Sequence, residues 1–406
     1  MRPLDDLLVL DLSRILSGPY CSMYLGDFGA RVVKIEHPDG GDDTRGFGPP
    51  FIGPEGAKES TYFLSVNRNK ESIAIDMKTA EGCALVKRLA AKADVLVENF
   101  RPGALDRLGL SYDALHVENP RLIYASISGY GHVGDPMWVT KPGYDVVIQG
   151  MGGLQSLTGS SDGPPYKVGT SVADMVSGLY ALVGILAALH ARTRTGHGQH
   201  VDISMLDGQI SLLTYHASAH LNAGVSPSRK GNAHPSIAPY ETFVANDGYF
   251  NLAVGNDALW RTFVAAVGPA LDGVANDTRF ATNAGRVGHR AELLAALVPL
   301  FATRNVEEWL ALCDRSGVPA GPILSVNDAL AHPQVLARDM VTTIEHASVG
   351  TLRVTGVPVR LSVTPGDVRT PPPRLGEHTE SALVDLLGLG AVELAALRAA
   401  GVFGGP

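Results

Sequence analysis

A single carboxylate stands at the head of a long uncharged stretch of the chain. In GTSVADMVSGLYALVGILAALH, residues 169–190, the acid is Asp174, and the next charged side chain after it is Arg192. The pattern Ser171-x-x-Asp174 is that of a capping box, in which the acid accepts a backbone N–H at a helix start. The position also suits a carboxylate nucleophile, because the positive end of a helix favours the ionised form. The local sequence leaves both roles open.

A glycine-rich loop, GYGHVG at 129–134, fits the pattern G-x-G-x-x-G and directly follows a predicted strand. In a dinucleotide site that pattern opens a helix whose N-terminus holds the pyrophosphate. Here Asp135 and Pro136 follow, and then Lys141-Pro142-Gly143, which are typical of loops. The pattern therefore predicts a plain turn, and no nicotinamide cofactor is expected.

The composition is that of an enzyme-sized globular chain of about two domains. Its 406 residues carry a formal net charge of −8, whereas a nucleic-acid binder usually has a basic excess. Cys21, Cys83 and Cys313 show no C-x-x-C spacing, which disfavours a metal site and suits a reducing compartment.

No targeting or membrane segment is expected from the sequence. The N-terminal residues MRPLDDLLVLDLS include acids where a signal peptide needs an apolar core. The apolar run at 175–189 is shorter than the ~18–20 residues that span a bilayer. We therefore expect a cytoplasmic protein that has neither a membrane nor a nucleic acid as its partner.

Short β-like runs alternate with helical segments over the first two hundred residues. The predicted strands are 7–13, 31–36, 72–77, 94–100 and 121–127, and the predicted helices include 20–30 and 78–93. This alternation predicts an α/β fold with a Rossmann-like parallel sheet and helices on both faces. Active sites in such folds lie at the carboxyl ends of the strands.

The character of the chain changes about halfway along. Residues 222–236 are rich in Gly, Pro and Ser, which predicts a linker after a large domain at 1–221. A smaller α+β domain is predicted at 237–330, and 331–406 returns to complete the large domain. Within that return, a hairpin is predicted at 342–356, and the C-terminal residues are predicted to form one helix.

Six segments together resemble the family III CoA-transferases, the CaiB/BaiF family, which includes formyl-CoA transferase. The segments are LDLSRILSGPYCSMYLGDFGARVVKIEHPDGGDDTR, YFLSVNRNKESIAIDM, DVLVENFRPGALDRLGL, GYDVVIQGMGGLQSLTG, VGTSVADMVSGLYALVGILAALHARTRTGHGQHVDISMLD and PPPRLGEHT. They follow the order of the family along essentially the whole chain. The resemblance implies that Asp174 is the catalytic nucleophile and that the protein is an interlocked homodimer.

The resemblance also implies a set of site residues. Ile15 and Leu16 would lie beside the thioester and offer backbone N–H groups as oxyanion donors. Gly255 and Asn256 stand in the segment that matches an active-site loop of the family. The residues implied to bind CoA are His37, Asn99, Phe100, Arg107, Lys141, Tyr144 and Asp145.

The implied reaction moves CoA between carboxylic acids by covalent catalysis. Asp174 would attack an acyl-CoA, and CoA would then attack the aspartyl anhydride to leave an aspartyl-CoA thioester for the acceptor acid. The expected substrates are therefore an acyl-CoA and a carboxylic acid, and neither a metal nor a redox cofactor is expected.

Residues 40–51, 60–74 and 232–243 most resemble the branch that moves CoA from succinyl-CoA to other dicarboxylates, such as glutarate. A second carboxylate on the substrate needs a cationic partner. Arg14 and His234 are the candidates, and the other interpretation of Arg14 is an ion pair with Asp11 or Asp43.

Two other functions stay open from the sequence. An α-methylacyl-CoA racemase uses a His and an Asp as bases, but Tyr144 stands where the family's His would be, and a phenol is a poor base at neutral pH. A non-catalytic CoA-binding protein on the same fold is the third hypothesis, against which the retained Asp174 argues.

Overall fold

Strands and helices alternate along the chain in the computed structural model, which describes residues 1–404. The strands are β1 (Leu8–Asp11), β2 (Arg31–Glu36), β3 (Phe51–Ile52), β4 (Glu59–Ser60), β5 (Lys70–Ala74), β6 (Val95–Glu98), β7 (Ile123–Ser128), β8 (His200–Ser204), β9 (Tyr240–Val244), β10 (Tyr249–Ala253), β11 (Ala320–Pro322), β12 (Val341–His346) and β13 (Gly350–Thr355). The α-helices are α1 (Ser17–Asp27), α2 (Thr61–Val66), α3 (Ala80–Ala90), α4 (Tyr112–Glu118), α5 (Pro136–Val139), α6 (Asp145–Met151), α7 (Leu154–Leu157), α8 (Val172–Thr195), α9 (Met205–Ser211), α10 (Thr214–Ala223), α11 (Asp257–Val267), α12 (Asp272–Ala275), α13 (Asn283–Gly288), α14 (Arg290–Phe301), α15 (Val306–Ser316), α16 (Val326–Ala331), α17 (Pro333–Ala337), α18 (Thr379–Leu387) and α19 (Ala391–Ala399).

Six of these strands form a parallel sheet in the order β5-β2-β1-β6-β7-β8. Helices α1 and α8 cover one face of the sheet, and Val9 and Val97 lie in the core on that side. Helices α3 and α18 cover the other face, and Leu10 and Leu96 lie in the core there. The predicted parallel sheet with helices on both faces is confirmed. The strand order reverses between β1 and β6, which is where ligands bind in open α/β sheets.

The chain divides into two compact units. The first comprises residues 1–154, 167–218 and 333–406 and contains the parallel sheet. The second comprises residues 155–166 and 219–332, in which the antiparallel strands β9, β10 and β11 pack with α11, α14 and α15 around an aromatic core. The domain boundaries predicted from composition, at 221, 236 and 330, stay predictions.

Helix α8 runs for 24 residues and has a mean hydropathy of 1.9 in its most apolar window, so by length and composition alone it could span a membrane. The sequence argument from 175–189 therefore underestimated its length. The helix packs on α1 and on strands β7 and β8, and Ala181 and Ile185 are fully buried there. One face of this apolar helix therefore lies in the core of the sheet fold.

Two predictions about local structure were wrong. The C-terminal residues form two helices, because Gly388 adopts φ +67° and ends α18 with its N–H on the Val384 carbonyl. The segment after the glycine-rich loop contains the single-turn helix α5, which begins at Pro136 with Asp135 as its cap.

Four charged side chains are completely buried at the carboxyl end of β1. Lys70 Nζ lies 2.9 Å from Asp11 Oδ2, and Lys34 Nζ lies 2.9 Å from Asp42 Oδ2. Lys34 also donates to the Ser13 carbonyl at 2.7 Å, and Asp42 Oδ1 accepts the Ile15 N–H at 3.1 Å. Burial opposes ionisation of Asp11, but the ammonium groups of Lys70 and Lys34 hold the pKa of this carboxyl well below its usual range.

We call these four residues the buried charge network. It joins β1, β2, β5 and the segment before residue 43, and it fixes the loop that follows β1. Removing one member leaves another charge without a partner in a site closed to water, which is costly.

Replacing Lys34 with Met is therefore expected to lower the free energy of unfolding by about 3–5 kcal/mol, since Asp42 loses its counter-charge while the volume is kept. Urea denaturation followed by circular dichroism measures the change. The matched control is Lys92→Met, an exposed residue two positions after the end of α3, which is expected to change stability by less than about 0.5 kcal/mol. Equal stabilities of the two variants would contradict the role given to the network.

Candidate active site

A cavity of about 370 Å³ opens at the carboxyl ends of β1, β6 and β7, at the reversal of strand order. Parallel strands bring the loops that follow them to one edge of the sheet, so residues distant in sequence meet there. The residues that line it include Arg14, Ile15, Ser17, Asp43, Asn99, Phe100, Arg101, Arg107, Ser128, Gly129, Lys141, Tyr144, Asp174 and Met205. We call it the switch-point cavity.

The side chains of Asn99 and Asp42 fix the loop after β1 by hydrogen bonds to its backbone. The Asn99 side chain accepts the Arg14 N–H at 2.8 Å and donates to the Arg14 carbonyl at 2.6 Å. The next residue, Ile15, adopts φ +69°, which is strained for a β-branched side chain. Such strain persists only where surrounding contacts impose it, and here the bond from Ile15 N–H to Asp42 does so.

The N-terminus of α1 presents backbone N–H groups at the switch-point cavity. Within residues 1–404 the backbone N–H groups of Leu16, Ser17 and Gly18 have no hydrogen-bond partner, as is usual for the first turn of a helix. The sequence prediction that Ile15 would also donate is wrong, because its N–H is already bonded to Asp42. A helix N-terminus with free N–H groups stabilises negative charge.

Helix α8 places Asp174 against this turn. A Cβ added at Gly178 would lie 2.5 Å from the Ser17 carbonyl oxygen, so α8 and α1 approach at van der Waals contact. Asp174 is four residues before Gly178 and therefore lies on the same face of α8, one turn closer to its start. The carboxylate of Asp174 accepts no hydrogen bond within residues 1–404, which leaves its lone pairs available.

The pKa of Asp174 is raised to about 7, because burial penalises the charged form and the nearby charge of Asp145 adds to this. Carboxyl groups with perturbed pKa values in clefts are typical of catalytic sites.

Asp145 provides the cap of α8 that the sequence assigned to Ser171. Ser171 does occupy the N-cap position, but its side chain makes no capping hydrogen bond, and the predicted capping box is absent. Instead Asp145 Oδ1 accepts the Ala173 N–H at 2.9 Å, and its Oδ2 accepts Gln149 Nε2 at 2.7 Å. Asp145 therefore fixes the start of the helix that carries Asp174.

Most of the predicted site residues come together in the switch-point cavity. Those lining it are Arg14, Ile15, Asn99, Phe100, Arg107, Lys141, Tyr144 and Asp174. His37 does not line it and lies 3.7 Å from Asp76 instead. His234, Gly255 and Asn256 belong to the second unit, and their predicted roles stay predictions.

Cations predominate in this cavity although the whole chain is acidic. Arg101, Arg107 and Lys141 form no ion pair within the described chain, and Lys141 Nζ lies 3.4 Å from the ring centroid of Trp138. Arg14 pairs with Asp43 at 3.2 Å, which is the other interpretation that the sequence allowed. Arg101 was missed, although it directly follows Asn99-Phe100 in the segment singled out. Unpaired guanidinium groups suit the phosphates of a nucleotide.

A second cavity, of about 420 Å³, lies beside the same helix start. Ser171 and Met175, which flank Asp174 in α8, line it together with Leu16. Tyr62 also lines it, and burial and then the charge of Asp174 raise the pKa of this phenol. We call it the acyl-side cavity.

The chain is similar to known proteins over nearly its whole length. The family described as CoA-transferase family III matches residues 4–379. The succinate–glutarate CoA-transferase of Agrobacterium fabrum is 43% identical over 388 residues, covering 95% of this chain and 96% of that protein. The succinyl-CoA:glutarate CoA-transferase of Mus musculus is 42% identical over 395 residues, covering 97% and 89%. The crystal structure of a CaiB/BaiF family protein from Brucella suis is 44% identical with a TM-score of 0.84, covering 95% and 99%.

The raised pKa of Asp174 predicts that its carboxyl titrates at about pH 7 in the free protein. NMR of isotope-labelled aspartate carboxyls, with Asp174→Asn to assign the signal, measures it. Asp145→Asn is expected to move the titration to lower pH, because it removes a neighbouring negative charge. Titration at the pH of an ordinary aspartate would contradict the geometry of the site.

Because the pKa of Asp174 is raised in the folded protein, the free energy of unfolding falls as pH rises. The unfolded carboxyl has its ordinary pKa of 3.8 and the folded one a pKa of about 7, so the free energy of unfolding is lost as pH rises between these values. Asp174→Asn is therefore expected to stabilise the protein by on the order of 2–4 kcal/mol at about pH 8 and hardly at all at about pH 4. Asp6→Asn on the exposed N-terminal segment is the control, and a stabilisation independent of pH would contradict the assignment.

Proposed function

This chain belongs to CoA-transferase family III, and we propose that it moves CoA from succinyl-CoA to a second dicarboxylate through a covalent intermediate on Asp174. The chain is a CoA-transferase, and CoA thioesters are its substrates. The observation that carries the finer proposal is a part-buried carboxylate that has no hydrogen-bond partner among residues 1–404 and lies between a cation-rich cavity and a helix N-terminus. The names of the similar enzymes support the succinyl donor and a dicarboxylate acceptor.

The reaction begins when an oxygen of ionised Asp174 attacks the thioester carbonyl of the donor. The C–S bond breaks, and CoA leaves as the thiolate while an acyl-aspartyl anhydride forms. The thiolate then attacks the aspartyl carbonyl, releasing the donor acid and forming an aspartyl-CoA thioester. The acceptor carboxylate attacks this thioester, the C–S bond breaks, and a second anhydride forms as CoA leaves as the thiolate. The thiolate then attacks the acceptor's carbonyl, which gives the acyl-CoA of the acceptor and frees the Asp174 carboxylate.

The chain's own groups act at each step. The tetrahedral intermediates carry an oxyanion, for which the free N–H groups at the start of α1 are the donors. Arg101, Arg107 and Lys141 bind the phosphates of CoA in the switch-point cavity and so hold the thioester at Asp174. The anhydride must be kept from water, and a part-buried nucleophile supports this.

The racemase alternative is not favoured. Tyr144 is 65% exposed at the start of α6, and the similar enzymes are named as transferases. A phenol is a poor base for an α-proton at neutral pH.

A homodimer is part of the proposal. Helix α8 turns an apolar strip to solvent, in which Leu179, Val183 and Leu186 are 42%, 60% and 38% exposed. An exposed apolar patch of this kind marks a protein interface. The three cysteines are free thiols, which supports a location in the reducing cytoplasm.

Asp174→Asn is expected to reduce CoA transfer by about a thousandfold or more, while affinity for CoA stays within about threefold, because only the nucleophile is lost. Transfer is measured by product formation and affinity by calorimetry. Mass spectrometry of the wild type after reaction with succinyl-CoA is expected to show CoA joined to the residue 174 peptide, or its hydroxylamine product. Full transfer by Asp174→Asn would overturn the covalent mechanism.

The apolar strip of α8 predicts that Leu179→Glu with Val183→Glu gives monomers, since charges cannot be buried at an interface without partners. Size-exclusion chromatography with light scattering measures the mass. The matched control, Val117→Glu with Val392→Glu, changes residues that are 80% and 87% exposed and is expected to remain dimeric. A wild-type chain that runs as a monomer would contradict the proposal.

A further inference from the structure

Asp174 lies between two cavities of different charge. The consecutive residues Ile15 and Leu16 line different ones, Ile15 the switch-point cavity and Leu16 the acyl-side cavity. Asp174 itself lines the first, and its helix neighbours Ser171 and Met175 line the second. A ligand that reacts at Asp174 therefore has room on both sides of the carboxylate.

The geometry of a thioester indicates which part of the substrate occupies each of the two cavities. At the reacting carbon the sulfur of CoA and the acyl chain are separate substituents that point away from each other. When CoA occupies the cation-rich switch-point cavity, the acyl chain of the donor extends into the acyl-side cavity. The acceptor acid reacts at Asp174 after the donor acid has left, so the carbon chain of the acceptor also extends into the acyl-side cavity.

The acyl-side cavity contains one cation among the residues that line it, Lys167. The residues that line it include Leu16, Tyr20, Tyr62, Lys167, Thr170 and Met175. Lys167 Nζ donates to the carbonyl of the next residue, Val168, at 3.1 Å and pairs with no acid within residues 1–404. A lysine ammonium that has no counter-charge beside an otherwise uncharged cavity is available to an anionic ligand.

The backbone of this lysine is fixed relative to Asp174. The fully buried Gln149 accepts the Val168 N–H at 2.9 Å and donates to the Thr170 carbonyl at 3.4 Å. The same side-chain amide donates to Asp145, which caps the helix of Asp174. One chain of hydrogen bonds therefore joins the lysine segment to the start of α8.

We propose that Lys167 binds the distal carboxylate of dicarboxylate substrates and thereby selects them over monocarboxylates. This inference rests on the proposed transfer through Asp174. Arg14, the candidate from the sequence, lies in the other cavity, where Asp43 already neutralises it. Tyr20 and Thr170 line the cavity with Lys167, so their hydroxyls are further donors to the same carboxylate.

The test compares glutarate with pentanoate, an acceptor of the same chain length that lacks the second carboxylate. In a ping-pong reaction kcat/KM for the acceptor does not depend on the donor, so succinyl-CoA serves for both. Lys167→Met is expected to lower kcat/KM for glutarate by about tenfold to a hundredfold, because a charge-assisted hydrogen bond is lost. For pentanoate the value is expected to stay within about twofold.

Three variants complete the experiment. Lys167→Arg is expected to retain the preference for glutarate, since the charge is kept, and the surface variant Lys92→Met is expected to match the wild type. Arg14→Met is expected to leave the glutarate-to-pentanoate ratio unchanged. Where turnover of pentanoate is too slow, its inhibition constant against glutarate provides the same comparison.

The outcomes separate this inference from the proposed function. If Lys167→Met changes glutarate and pentanoate equally, or if the ratio falls in Arg14→Met or His234→Ala and not in Lys167→Met, the inference is overturned while covalent transfer stands. Full transfer by Asp174→Asn would instead overturn the mechanism on which both depend.

Discussion

The buried charge network of Asp11, Lys34, Asp42 and Lys70 is the constraint on which the site depends. Two positive and two negative groups closed to water must stay paired, because an unpaired charge there costs several kcal/mol. Through Asp42 the network holds Ile15 in its strained conformation, and the helix with the free N–H groups begins two residues later. The stability of the fold and the position of these N–H groups therefore depend on the same contacts.

The electrostatics of Asp174 show a compromise between reactivity and stability. Burial and the charge of Asp145 make its ionised form unfavourable, whereas the helix start on which it lies favours that form. An anion that is poorly solvated and accepts no hydrogen bond is a better nucleophile than one in water. The fold tolerates this unfavourable charge because the parallel sheet and its two helix layers supply the stability elsewhere.

Most of the fold could be predicted from the sequence, since apolar periodicity reports which face of each element is buried. The strand at Arg31–Glu36 and helices α1 and α3 lie where their patterns placed them, within a few residues. The errors came from single residues that override a pattern. Gly388 interrupts an apolar run that otherwise favours one helix, and Pro136 begins a turn of helix in a segment with loop composition.

The sequence by itself determined the alternation of strands and helices and, through its resemblance to a family, predicted Asp174 as the nucleophile. Only the tertiary structure decided that Asp145 caps the helix of Asp174, that two strand lysines are buried as ion pairs, and that cavities of different charge lie on either side of the carboxylate. The physical reason is distance along the chain. Local patterns record which residues are buried, but these contacts join residues from separate loops and strands, which meet only when the sheet assembles.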